Sequence, residues 1–506
     1  MPFLARGRTG PFAAEAVTTG DTRLHVRHGL VAACLCCAAG LFGDAPRELS
    51  TIASNVTPPR LSRSVAPDPA FDSLGIGTAG LLAMAMASAT ARPLHARLDA
   101  AAQAIEPKMI GWRRDFHENP ELGNQEVRTA GVVARHLRAL GYDVRENVAV
   151  TGVVATLRGG AGPGPVVALR ADMDALPVAE EVDLPFASRA RAIWDGVDVP
   201  VMHACGHDAH TAILMAAAEV FAGMRDELRG TIKLLFQPAE ENLPNGEIGG
   251  ARRMIAEGAF ADPKPDVVFG LHLVTFLPAG TLGYCLGPSH ASADTFHITV
   301  RGRQTHGAMP WRGVDPIVIG AQVVSALQTI QSRQLDVNDP SVLTIGTFHA
   351  GLRANIIPER AEMTGTLRTY DDDRRAYMQR RVIEIAENVA RGMDGTAEVH
   401  WEPNGYPVTS NDPALTERMV PSLARVAGAA RLQLSQRSMA AEDFSYFARE
   451  APALFFWVGV TPPGDDPRTA PTNHSPRFYV DETGLLPGLR GTLHLVADFT
   501  GSSRAA

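Results

Sequence analysis

Residues 202–210 read MHACGHDAH, which places three histidines, a cysteine and an aspartate in nine positions. Such side chains bind divalent transition metals, run thiol redox chemistry, or simply cap a helix. Partners elsewhere in the chain have to decide between these. Cys205 and His207 stand just before a helix-like apolar run. Glu240 and Glu241 follow the strand-like GTIKLLFQPAEE, His272 closes PDVVFGLHL, and His474 lies in NHSP after the apolar strand ALFFWVGV. Thiolate, imidazole and carboxylate all ligate transition metals, and candidates on neighbouring strand ends suit two ions better than one. A zinc-finger reading fails because no second Cys or His pair follows at the right spacing, and H-E-x-x-H is absent. A redox thiol needs a resolving cysteine. Of the five cysteines, Cys34, Cys36 and Cys37 crowd together near the start, and Cys285 reads as a buried thiol.

The elements that must position these residues alternate. LDAAAQAIEPKMIGWRRDFHENPEL and EVRTAGVVARHLRALGY read as helices, the second closed by Gly141. PVVALRADMDALP is a buried strand ending in acids, HDAHTAILMAAAEVFAGM a helix, and GGARRMIAEGAF another. This alternation predicts an α/β fold with a central sheet flanked by helices, its polar residues gathered at strand ends. Residues 293–402 differ. Their order is β-α-β-β-α-β, the ferredoxin-like unit, inserted before α/β character resumes near residue 404.

The chain has 506 residues, net charge −8, 45% apolar and 20% charged residues, which is ordinary for a globular protein of several domains. No basic stripe is present, so nucleic acid is excluded as a partner. Residues 1–97 lack a sustained period and read as a poorly ordered extension. Two apolar runs inside it, 30–42 and 79–91, fall short of the roughly 20 residues a membrane span requires. The run 79–91 ends in small residues like a signal-peptide cleavage region, which points to export if it is a signal remnant and to the cytoplasm otherwise.

Nine segments follow one another in family order: RRDFHENPELGNQE, ALRADMDALP, MHACGHDAHTA, LFQPAEE, GRQTHGAMP, NIIPE, GTLRTY, AEDFSYF and NHSPRF. Over residues 100–497 the chain resembles the binuclear metal-dependent amidohydrolases that include hippurate hydrolase and the indole-acetyl-amino-acid hydrolases, within the aminoacylase and carboxypeptidase metallopeptidase group. The resemblance implies a metallopeptidase-type catalytic domain (98–290 and 404–506) carrying an inserted ferredoxin-like lid and dimerisation domain (291–403).

By that resemblance Cys205, His207, Glu241, His272 and His474 hold two divalent ions, zinc or manganese, with Cys205 bridging. A thiolate has lone pairs and charge for two cations. Glu240 matches the general base, taking a proton from water and passing it to the leaving amine. Asp172 and Asp174 stand behind the ligands, Asp174 orienting a ligand histidine. His210, one turn past His207, reads mainly as a capping or packing residue. His306 matches a histidine that enters the partner subunit's site and stabilises the oxyanion. Asn355 and Arg368 match positions that hold the substrate carboxylate, a task that suits the planar fork of Arg.

The expected activity is hydrolysis of N-acyl amino acids to a carboxylic acid and a free amino acid, by a homodimer with no integral membrane span. The rivals are a dipeptidase or carboxypeptidase on the same scaffold and a metal-dependent binding protein without catalysis. A binder has no need of Glu240 beside its ligand. Two departures from the family stand out: a long PAEENLPNGEIGGA loop beside the site, and Trp311, whose ring is placed to touch the acyl group.

Overall fold

The structure is a computed structural model that describes residues 93–241, 243 and 247–502. The run 79–91 and most of the expected extension lie outside the described residues. The first helix, α1 (Leu94–Glu118), begins before the boundary expected at residue 98. α2 (Val127–Ala139) turns its Val133, Ala134 and Leu137 inward and ends before Gly141, whose φ of +82° only glycine adopts without strain.

Strands β1 (Asp143–Val148), β2 (Gly152–Arg158) and β3 (Val166–Asp172) precede a small hairpin, β4 (Arg191–Trp194) with β5 (Val197–Pro200). Then come α3 (His207–Gly223), β6 (Thr231–Gln237), α4 (Gly250–Ala256), β7 (Val267–Pro278), β8 (Leu282–Tyr284) and β9 (Pro288–His290). The inserted segment holds β10 (Asp294–Arg301), β11 (Thr305–His306), α5 (Pro316–Leu327), β12 (Ser341–Ala350), β13 (Ile356–Ile357), β14 (Arg360–Thr369), α6 (Asp372–Arg391) and β15 (Thr396–Trp401). The chain closes with β16 (Thr409–Ser410), α7 (Pro413–Ala427), β17 (Leu432–Leu434), α8 (Phe444–Glu450), β18 (Ala453–Thr461) and α9 (Leu485–Ser502).

An eight-stranded mixed sheet has the order β1-β2-β6-β3-β7-β18-β8-β17. Its middle strands β6, β3, β7 and β18 run parallel. They are mainly apolar because both faces are covered, and the buried polar residues Arg170, Asp172, Lys233 and Gln237 are each hydrogen-bonded or ion-paired. One face packs on α1, α2, α3, α7 and α9, the other on α4 and α8. Phe444, Phe447 and Phe455 fill the second layer, each burial stabilising by roughly 1.5–3 kcal/mol.

The inserted segment forms a second sheet, β12-β14-β10-β15, antiparallel throughout, with α5 and α6 on one face around Phe296, Ile298, Val323, Met363 and Val382. Strand order and element order match the ferredoxin-like expectation. α6 buries Met378, Val382, Ala386 and Ala390, a strict four-residue spacing, and Asp371 caps it by accepting from Arg374 N at 2.7 Å. Among the described residues the other sheet face carries no helix and is polar, with Thr295, His297, Thr366 and Arg368 half-buried. No described helix is long and apolar enough to cross a membrane.

One expectation needs correction. His272 does not close its strand, because β7 continues to Pro278. The continuation is held by β18, which pairs with β7 as far as Thr461 opposite Pro278.

Candidate metal centre

The site lies at the carboxyl ends of β3, β6 and β7, where parallel strands leave a crevice. Cys205 and His207 flank Gly206, whose φ of +89° makes the turn into α3 and sets both side chains inward. His207 is wholly buried. Its Nδ1 donates to the Asp174 carbonyl at 2.8 Å and stands 3.2 Å from Asp174 Oδ1. The other Asp174 oxygen accepts from Glu241 N at 2.9 Å. One carboxylate therefore fixes both the His207 ring and the Glu241 backbone. His272 Nδ1 donates to the Leu273 carbonyl at 2.8 Å, which leaves its Nε2 3.5 Å from Cys205 Sγ. His474 sits at φ +70°, a strained backbone for a non-glycine residue, and its Nε2 is 2.9 Å from Glu241 Oε1. Asn473 Nδ2 bonds the Cys205 and Leu273 carbonyls at 3.2 and 3.1 Å, tying the His474 loop to both neighbours.

The donors form two triads, Cys205–His207–His272 and Cys205–Glu241–His474, each with its donor atoms within 4.8 Å of one another. They share Cys205. Both buried histidines spend Nδ1 on a carbonyl and keep the Nε2 lone pair free, the tautomer a metal ligand requires. Nε2 of His207 is buried with no hydrogen-bond partner among the described residues, a cost that a cation would remove. Sulfur and nitrogen donors on one tetrahedral zinc, at ~2.3 and ~2.0 Å, stand about 3.5 Å apart. That is the Cys205–His272 separation. The residues present fit a divalent pair.

Glu240 follows Ala239, itself at φ +48°. Burial pushes the Glu240 carboxyl well above the usual range, helped by Glu442, Glu241 and Asp443. Its carbonyl accepts from Tyr406 OH at 2.5 Å, and its Oε1 accepts from Asp443 N at 3.3 Å. Glu126 Oε1 accepts from Ala239 N at 2.8 Å, bracing the same turn from behind.

His210 has a bracing role that its spacing did not reveal. Nε2 accepts from Leu273 N at 2.9 Å, so Nδ1 carries the proton and donates to Asp172 Oδ1 at 2.6 Å. Both nitrogens are used, and the ring joins β3 to β7 beside His272. Asp172 is buried between His210 and Arg170, whose Nη1 stands 2.7 Å away. In the opening nonapeptide, Asp208 is clamped by Arg113 Nε at 2.9 Å and His117 Nδ1 at 2.8 Å from the RRDFH segment of α1. The i, i+4 spacing of Arg113 and His117 was the readable signal. His203 is buried with both ring nitrogens unpartnered.

A cavity of about 1000 Å³ opens over Cys205, Glu240, Glu241, His272 and His474 and reaches the helix-free face of the second sheet at Thr295, His297 and Arg368. Arg368 makes one hydrogen bond, to the Met439 carbonyl at 3.5 Å, and no ion pair among the described residues. Trp457, Phe276 and His290 form an aromatic wall beside His272, with ring centroids 4.7–6.3 Å apart. His306 and Asn355 do not line this cavity. They lie together on the β11–β13 ribbon, where Gly307 N donates to the Asn355 carbonyl. Trp311 is 74% exposed and also lies off the cavity, so it does not touch the acyl space of its own chain. Leu243 of the long loop lines the cavity; residues 242 and 244–246 lie outside the described residues.

Residues 168–498 match the model of peptidase family M20/M25/M40. The chain belongs to that family. Among its M20 relatives, thermostable carboxypeptidase 2 of Saccharolobus solfataricus is 39% identical over 76% of this chain and 93% of its own length. N-acetylcysteine deacetylase of Bacillus subtilis is 35% identical over 76% and 94%. The solved YXEP protein of Bacillus subtilis, described as a dinuclear metal-binding M20 peptidase, superposes with a TM-score of 0.65 at 32% identity, over 79% of this chain and 99% of its own.

Proposed function

We propose that this M20 protein is a metal-dependent amidohydrolase that cleaves N-acyl amino acids to a carboxylic acid and a free amino acid. The observation that carries this reading is the pair of triads sharing Cys205, with Glu240 beside them on a cavity whose far wall holds an Arg368 without an ion pair. Relatives named as deacetylase and as N-acyl-L-amino acid amidohydrolase support it. Relatives named as carboxypeptidases support the rival peptidase reading.

In this reading Cys205, His207, Glu241, His272 and His474 would hold two divalent ions, Cys205 being the residue common to both triads, with Asp172 and Asp174 behind them. Bound there, the ions would polarise the scissile carbonyl and acidify water. Glu240 takes the proton and returns it to the leaving nitrogen. Arg368 holds the free carboxylate from its own chain, and Asn355, which lies beside His306 and off its own cavity, reaches the carboxylate of a partner's site. Residues 98–290 with 404–506 act as the catalytic domain, and 291–403 as the lid.

His306 serves the oxyanion of a partner's site. Its distance from its own cavity supports this, as does an exposed apolar set on β12, α5 and their neighbours: Trp311, Ile317, Val318, Phe348, Leu352 and Ile356. β12 is an edge strand with one side unpaired. Such an edge beside such a patch favours a homodimer.

A panel of N-acetyl, N-benzoyl and indole-acetyl amino acids run beside dipeptides, on enzyme reconstituted with zinc or manganese, tests the function. N-acyl amino acids should turn over faster than dipeptides. Faster dipeptide cleavage would replace the proposal with the peptidase reading.

A further inference from the structure

Arg170 lies at the end of β3, wholly buried and off the cavity. Its guanidinium joins two groups of residues. On one side Nη1 stands 2.7 Å from Asp172, which holds the His210 ring that braces Leu273 next to ligand His272. On the other side Nη2 donates to Glu442 Oε1 at 2.8 Å and to Asp443 Oδ1 at 3.2 Å, and Nε donates to Gln237 Oε1 at 2.8 Å. Gln237 in turn bonds both Asp443 oxygens, at 2.7 and 2.8 Å. Ala251 N bonds Asp443 Oδ2 at 2.7 Å. That approach is open only because residue 250 is glycine: a Cβ there would fall 2.0 Å from the same oxygen. The turn that carries Glu442 and Asp443 is thus fixed on every side, and its Asp443 N–H is the donor to Glu240 Oε1.

The electrostatics make this restraint necessary. Glu240, Glu442 and Asp443 bring carboxylate oxygens within 4.8 Å of one another in a buried space. Like charges so close push apart; Glu240 and Glu442 both line the cavity, and Glu240 is the one that also lies within 4.8 Å of His207 and Glu241. A general base displaced by about 1 Å loses much of its rate. We infer that Arg170 is a positioning residue for Glu240: its fork pins the Glu442–Asp443 turn and through it aims the base, while its contact with Asp172 keeps that turn in register with the ligand strand. The inference rests on Glu240 being the base. A lysine in the same place would keep the charge but not the fork, which bonds several acceptors at fixed angles.

The test is a double-mutant cycle on the full-length, metal-reconstituted enzyme with its best N-acyl substrate. Arg170→Lys should bind its metals as the wild type does and keep KM within about twofold, while kcat falls about 10–100-fold, the range for groups that orient a site from behind. Arg170→Lys in a Glu240→Gln background should cost nothing further, because the base it aims is already gone. If Arg170→Lys does not yield folded protein, Glu442→Gln removes one ionic arm and is read the same way. Multiplying losses in the double variant, or a kcat loss that tracks lost metal, would overturn the inference. An active Glu240→Gln single variant would instead overturn the base assignment beneath it.

Discussion

Cys205 Sγ and His272 Nε2 stand 3.5 Å apart, with the other nitrogen of His272 already committed to the Leu273 carbonyl. Neither atom is arranged for a strong hydrogen bond to the other, and their separation fits two donors to one cation. Cys205→Ser should therefore lose bound metal and activity together, because a neutral hydroxyl is a poor bridge between two cations. Metal content by atomic emission beside kcat checks this. Full metal content with normal turnover would remove Cys205 from the ligand set.

Neighbouring Glu240 and Glu241 should separate on substitution. Glu240→Gln is expected to keep its metals while kcat falls by roughly two to four orders of magnitude. Glu241→Gln should lose metal affinity, because it takes one donor from a triad. Metal titration of both variants assigns the roles, and the opposite pattern would exchange them.

Assembly of one site from two chains is tested by complementation. Glu240→Ala and His306→Ala should each be nearly inactive alone. After co-refolding, half the dimers are mixed and half their sites are whole, so activity should recover to about a quarter of wild type. A tag pull-down verifies chain exchange. Exchange without recovery would mean that His306 does not act across an interface.

Glu126 gives the fold a pH signature. Burial, aided by the nearby Asp174, raises its carboxyl from 4.5 to about 8. A raised acid binds its proton more tightly in the folded state. Its stabilising share is complete below pH 4.5 and is lost as pH rises through about 8. The slope is at most about 1.4 kcal/mol per pH unit. Glu126→Gln, a fixed neutral mimic, should flatten the fall in Tm across that window. An unchanged Tm profile would show that the carboxyl does not titrate there.

The convergence of Cys205, His207, Glu241, His272 and His474 was legible in the sequence because each sits in a short motif next to an apolar segment, while their role as ligands came from the family resemblance. The inserted unit was legible because its helices and strands keep clean periods. His210 was not, since its role depends on a backbone N–H in Leu273, 63 positions away. Arg170 was hidden for a related reason. In a strand it looks like one charge among apolar neighbours, and only packing shows that Glu442 and Asp443 meet it. The three-residue strands β8, β9 and β17 are too short to display a period at all.

Trp457, which pairs with His272 across β7 and β18 and holds its indole 6.3 Å from that imidazole, makes the centre optically readable. An emitter that close to a paramagnetic ion is quenched, while diamagnetic zinc leaves it bright. Loading with manganese or cobalt should therefore dim the intrinsic fluorescence in proportion to occupancy, whereas zinc should not. Trp457→Phe should abolish the difference. The protein would then report its own metal content, with no substrate and no added dye.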